Sequence, residues 1–293
     1  MRMDPECVPC LLKRVVFQSR LVDGEDGRRP VQAALSVLAA GFDGEVNSAS
    51  MATKAHAVAY RALGIKDPYR ELKERSDEVA SQLFPELARY LDDAPDRLEA
   101  AVLGAIVGNV MDFGPGIAIQ HPDQLFDVFH SLMDQGLDVN DVPRMRERLR
   151  SSRKVLYLLD NCGESVFDIP LVREIQKLGP EVVGVVKGEP VLTDVTREDA
   201  TRCGIDQVFD RLVDTGQFAI GVDLDNAGQD LQGELQDCDI IISKGMANFE
   251  ALSDTDVGPI VYLLRAKCHP VARSLGVLKD QNVAVYRERA DGL

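Results

Sequence analysis

Three short stretches carry side chains that can hold a charged ligand. The first is Asp160-Asn161-Cys162-Gly163-Glu164, two oxygen-bearing side chains followed by a glycine and a carboxylate. The second, Lys187 to Thr196, contains Thr193-Asp194, and the third is Ser243-Lys244-Gly245-Met246-Ala247-Asn248-Phe249-Glu250. Asp160, Asn161 and Asp194 together offer three oxygen ligands, too few for a closed cage. Such a set leaves positions for water and substrate oxygens, as Mg²⁺ or Mn²⁺ sites of phosphoryl-transfer enzymes do. Lys244, beside a glycine that admits close backbone approach, is suited to pair with a phosphate. Each stretch has a plain structural alternative: Asp160 or Asn161 caps a helix, Asp194 caps a helix at Thr196, and Lys244 is solvated. A cap needs only one such residue, and the coincidence of three polar stretches favours a site.

The elements around them explain how they would meet. Val155–Leu159 is an unbroken apolar run, the pattern of a strand buried on both faces. Ile169, Val172 and Ile175 then follow at helical spacing until Gly179-Pro180. Further strands are expected at Val182–Val186, Gln207–Phe209, Ile240–Ile242, Ile260–Leu263 and Val283–Tyr286. Helices are expected at about Ser165–Leu178, Thr196–Cys203, Ala227–Gln236, Asn248–Leu252 and Cys268–Leu275. This alternation predicts a Rossmann-like, doubly wound α/β domain with a mostly parallel sheet flanked by helices. In such a sheet the polar stretches after successive strands lie on one edge, where ligands bind. Neither G-x-G-x-x-G nor G-x-x-x-x-G-K-[ST] follows the first strand.

Residues 1–152 read as an all-helical N-terminal part, and residues 153–293 as the α/β part. The helices expected there run from Cys7 to Val22, Pro30 to Ala40, Ser48 or Ser50 to Leu63, and onward from Asp67-Pro68-Tyr69 with an acidic-basic face. Three more cover Asp96 to Val107, Gln124 to Met133 and Val142 to Leu149. Gly108 to Gly116 holds three glycines and a proline, which enforces a loop bearing Asn109 and Asp112. Composition alone favours an Asx-stabilised turn there over a ligand contact.

The totals narrow the partners. A net charge of −15 and a pI near 4.7 repel nucleic acid and anionic membranes at long range. No apolar run approaches the ~20 residues of a bilayer span, and no apolar stretch of a secretory signal follows Met1, so a cytoplasmic enzyme is expected. The six cysteines are then thiols or ligands rather than a disulfide framework. Cys7 and Cys10, in a C-x-x-C, and Cys268 form a possible structural cluster joining the two ends, with reduced thiols preferred over zinc or a redox bridge.

The Asp160–Glu164 stretch, Gly188-Glu189-Pro190-Val191-Leu192-Thr193-Asp194 and Ser243–Glu250 resemble motifs of the metal-dependent damage-control phosphatases, once catalogued as domain of unknown function 89. Asn109 to Gly114, Asp67-Pro68-Tyr69 and Pro5-Glu6-Cys7-x-x-Cys10 are similar to its stand-alone prokaryotic branch, so the resemblance spans almost the whole chain. Cys162 stands where a small residue such as alanine is expected. The resemblance implies a helical part packed on a Rossmann-like domain. It also implies a divalent cation (manganese, cobalt, nickel or magnesium) held by Asp160, Asn161 and Asp194.

The expected function is hydrolysis of phosphate esters of small or damaged metabolites, such as sugar phosphates or phosphopantetheine-like compounds. The cation would neutralise phosphate charge and orient water, although Asp160 as nucleophile is also open. Lys244 is assigned to the phosphoryl oxygens and Glu164 to proton transfer. Asn109, Asp112, Gly163, Asn248 and Glu250 are assigned to the substrate side. An S-adenosylmethionine-dependent carboxyl methyltransferase is the runner-up, poorly supported by the single Gly163. A non-catalytic metabolite-binding protein is the third reading, and it leaves the paired Asp160-Asn161 without a purpose.

Overall fold

The computed structural model describes residues 1–111 and 121–288. In chain order the helices and strands are α1 Cys7–Arg20, α2 Arg28–Gly41, α3 Ser48–Leu63, α4 Arg70–Asp93, α5 Arg97–Gly108, α6 Leu125–Asp134, β1 Val139–Asn140 and α7 Val142–Arg150. They continue as β2 Lys154–Leu158, α8 Glu164–Lys177, β3 Glu181–Val186, α9 Arg197–Cys203, β4 Arg211–Asp214, α10 Gln229–Asp237 and β5 Ile240–Lys244. The last are α11 Gly245–Leu252, β6 Ile260–Arg265, α12 His269–Leu275 and β7 Asn282–Arg287.

The strands form one sheet in the order β1-β7-β6-β5-β2-β3-β4. All neighbours pair in parallel except β6 and β7. This is the expected α/β architecture, with helices from α1 to α5 preceding the sheet. The chain leaves β2 toward β3 and β4, then returns past β2 to add β5 and β6 on its other side. The reversal creates a crevice beyond the carboxyl ends of β2 and β5, where helix connections diverge to opposite faces.

Alternation along β2 divides the core in two. Val155, Tyr157 and Leu159 pack with residues of α4, α5 and α8, including Leu87, Val102 and Phe167. Leu156 and Leu158 pack on the other face with Leu231, Phe249 and Val271. A separate cluster joins Leu11, Leu38, Met51 and Tyr60 of the first three helices to Val191, Leu192 and Ile220. The sheet and its layers draw on segments before residue 153, since β1 pairs with β7 and α5 lies against α8.

One expected element differs. The strand expected at Gln207–Phe209 is displaced: Ile205–Gln207 is a 3₁₀ turn, and β4 begins at Arg211. Phe209 is buried against Tyr157, which uses its bulk for packing rather than pairing. Helix α3 is capped by Asn47, whose side chain accepts from Ala49 and Ser50 N–H groups at 3.0 and 3.2 Å. Among the described residues, no helix is long and apolar enough to cross a membrane.

Candidate active site at the ends of β2 and β5

Asp160 follows β2, and its surroundings come from four segments. Asn109, at the end of α5, donates Nδ2–H to Asp160 Oδ2 and to Glu164 Oε2, each at 2.8 Å. Asn161 donates to the same two oxygens, each at 2.9 Å. A bridge between Asn161 and Asp194 and a 2.9 Å hydrogen bond from Val195 N–H to Asp160 O bring the Asp194 segment alongside. Thr193 Oγ1 donates to Asn161 Oδ1 at 2.6 Å. Gly245 completes the crevice from the end of β5. Its φ is +74°, and a Cβ built there would overlap Asp160 Oδ2. Only glycine meets both the left-handed backbone and the close approach.

Asn248 is buried on α11 and donates Nδ2–H to Leu159 O and Lys244 O, tying the ends of β2 and β5 together. Gly163, with φ +77°, donates its N–H to Asp77 Oδ1 at 2.7 Å. Lys187, which sequence reasoning left without a role, lies 3.3 Å from Asp194 Oδ2 and donates to Gly221 O at 2.6 Å. Its signal was a lysine placed directly after an apolar strand. Lys267 was also missed. It is half-buried beyond β6, on the same sheet edge, and donates to Asn109 O. Tyr60 accepts the N–H of Leu192 at 2.9 Å, holding a non-glycine residue at φ +48° two positions before Asp194.

Two assignments are corrected. Lys244 is the last residue of β5 and wholly buried, not a loop cation facing substrate. Its ammonium donates to Glu164 Oε1 at 2.6 Å, Asp168 Oδ1 at 2.7 Å and Ala105 O at 2.9 Å. An ammonium has three donors, so none is left for a phosphate. Glu164 is equally buried, with Oε1 on Lys244 and Oε2 on the two asparagine amides, which removes it from proton transfer with water. Burial opposes the Lys244 charge, but the Asp168 and Glu164 carboxylates outweigh it and raise its pKa. Burial pushes Asp168 up to about 6, against the pull of Lys244.

The remaining assignments divide. Glu250 is half-buried on α11, and its backbone carbonyl accepts from Asn47 Nδ2 at 3.0 Å. Burial raises the Cys7 thiol to about 12, and the Glu250 carboxylate adds to the effect, as do Cys268 and Cys10. Cys7, Cys10 and Cys268 are all free thiols. Cys162 is buried, and burial holds its thiol well above the usual range. Asp112 lies outside the described residues.

The donors around Asp160 suit a hard cation. Asn109 Oδ1 and Asn248 Oδ1 are buried carbonyl oxygens without a hydrogen-bond donor among the described residues. Acceptors of this kind are what a cation bound to carboxylate and amide oxygens completes. No group of three His, Cys, Asp or Glu among the described residues is placed to hold a metal, so the fit rests on amides beside the carboxylates.

Residues 3–283 match the family model of the damage-control phosphatase ARMT1-like domain. The chain belongs to this family. A damage-control phosphatase of Archaeoglobus fulgidus is 39% identical over 97% of this chain and 99% of that protein. A second, from Pyrococcus horikoshii, is 30% identical over 97% and 98%. The crystal structure of that protein, described as a DUF89 family protein, superposes with a TM-score of 0.87 over 98% of this chain and 99% of that one, at 29% identity. A mouse 4′-phosphopantetheine phosphatase is 28% identical over 46% of this chain and 18% of its own. Among damage-control phosphatases, then, this member places an acidic, amide-rich crevice at the switch point of its sheet.

Proposed function

We propose that this protein is a divalent-cation-dependent phosphatase of small phosphorylated metabolites, with sugar phosphates and phosphopantetheine-like compounds as the substrate class. The observation that carries the reading is the Asp160 crevice. Two carboxylate-bearing segments and two amide side chains converge there, with buried Asn109 Oδ1 left to accept. Asp160, Asn161 and Asp194 would hold the cation. When bound, it supplies charge neutralisation at the phosphoryl oxygens and orientation of an attacking water.

The chain's own residues do the rest. Asn109 and Asn161 each donate to Asp160 and Glu164, which fixes both amides and so fixes where their carbonyl oxygens stand. The buried Lys244 holds Glu164 from behind and keeps this frame rigid. Lys267, half-buried on the same sheet edge, is the protein cation assigned to the incoming phosphate in place of Lys244. On a molecule of charge −15, attraction for an anion must be local in this way.

The test is phosphate release from a panel of sugar phosphates and 4′-phosphopantetheine, using metal-stripped protein with and without Mn²⁺ or Co²⁺. Release that appears only on adding the ion supports the reading. Equal release by stripped and loaded protein contradicts it, and so does silence under every condition.

A further inference from the structure

Helix α4 reaches both ligand-bearing segments with one face. Lys73 and Asp77 stand one turn apart on it, so their side chains project side by side. Lys73 is 1% exposed and pairs with Asp199 at 2.5 Å and Asp67 at 3.1 Å. Asp199 in turn accepts from Thr196 N–H at 3.0 Å and Thr196 Oγ1–H at 2.6 Å, two residues beyond Asp194. Asp77 Oδ1 accepts the Gly163 N–H, two residues beyond Asn161, while its Oδ2 accepts from Arg202 at 2.7 Å. Arg202 closes the ring by meeting Asp199 Oδ1 at 2.8 Å.

Five charged groups are thus joined, of which Lys73, Asp77 and Asp199 are buried while Asp67 and Arg202 reach the surface. Buried ion pairs contribute little net stability against apolar packing, because desolvation offsets most of their attraction. What the ring does provide is fixed geometry. One of its arms ends on the backbone after Asn161, the other on the backbone after Asp194. None of the hydrogen bonds or ion pairs that build it involves the side chains of Asp160, Asn161 or Asp194.

We infer that Lys73 and Asp77 are positioning residues, which hold the Asp160–Glu164 and Asp194–Thr196 segments at the separation a divalent cation requires. The inference rests on the cation-dependent reading above. Partners one step removed from metal ligands typically set affinity by ~10–100-fold, and this ring occupies that position.

The experiment is an equilibrium Mn²⁺ titration of metal-stripped protein, read by the loss of the free-ion electron paramagnetic resonance signal. Asp77→Asn keeps the shape and an acceptor for Gly163, but it loses the charge that holds Arg202. It is expected to bind Mn²⁺ about tenfold or more weakly than wild type, while keeping its circular dichroism spectrum and cooperative melting. Arg97→Gln, which breaks pairs with the exposed Asp92 and with Glu174 in the last turn of α8, at the opposite end of that helix from Glu164, serves as a destabilised control with wild-type affinity. Wild-type affinity in folded Asp77→Asn overturns the positioning role and leaves the cation reading standing. No Mn²⁺ uptake by wild type overturns the cation reading, and this inference with it. Should Asp77→Asn not fold, Arg202→Gln, at a side chain 29% exposed, carries the same expectation and the same contradiction.

Discussion

Lys244 and Asp168 pair at 2.7 Å with neither side chain reaching solvent. Asp168 comes from the second turn of α8, Lys244 from the end of β5, and Tyr157 adds its hydroxyl to the same carboxylate oxygen at 2.7 Å. The pair anchors the helix that begins at Glu164 to the strand that ends beside Asp160, so site and core share one frame.

Removing the cation from this frame should act first on stability. Lys244→Met leaves Glu164 and Asp168 buried without their counter-ion, which costs about 3–5 kcal/mol. Urea unfolding should show that loss, and Lys244→Met combined with Asp168→Leu should recover part of it, since contacting residues do not add. A Lys244→Met protein as stable as wild type but about 100-fold slower would return Lys244 to a direct role on phosphate.

Gly245→Ala tests the close approach to Asp160. The left-handed φ of +74° alone costs an alanine about 1–2 kcal/mol, and the added methyl must displace the Asp160 carboxylate. We expect a folded protein whose divalent-ion affinity falls by about tenfold or more. Unchanged affinity would mean that Asp160 Oδ2 does not set the site.

His56 gives the pH dependence a definite sign. It is wholly buried with its Nδ1 2.7 Å from Gln18 Oε1, and burial lowers its pKa to about 3. The folded pKa lies below the unfolded one, so the unfolded chain binds the extra proton between about pH 6.5 and 3. This contribution is fully present above pH 6.5 and is lost as pH falls toward 3, by up to about 1.4 kcal/mol per pH unit. His56→Gln should therefore flatten the acid limb of stability measured by urea unfolding at pH 4 to 7. A variant with the same slope as wild type would show that His56 is not the group responsible.

Much of the site was legible because strands and ligand motifs are local. The apolar run after Lys154 and the polar stop at Asp160 identify β2 without reference to the rest of the chain. The error at Lys244 was of the opposite kind. Ser243-Lys244 reads as a polar loop after Ile240–Ile242, and the partners that let β5 bury a lysine lie 76 and 80 residues away on α8. Lys73 and Asp77 belong to the acidic-basic face expected after Asp67-Pro68-Tyr69, and their partners Asp199, Arg202 and Gly163 also lie on distant segments. Their spacing did carry a signal, since both fall on the buried stripe that includes Ala80, Leu83 and Leu87. Glu250 lies where α11 packs on α3, its carbonyl accepting from Asn47, which motif order alone does not disclose.

The central claim is that Asp160, Asn161 and Asp194 share one cation. The most direct measurement is an anomalous-difference map from crystals of this protein grown with Mn²⁺ and inorganic phosphate. The account predicts a peak within ~2.0–2.6 Å of oxygens from all three side chains, the range for hard cations on oxygen ligands. It also predicts that the peak disappears in Asp160→Ala crystals. A peak bound elsewhere, or an empty crevice at saturating Mn²⁺, would contradict it.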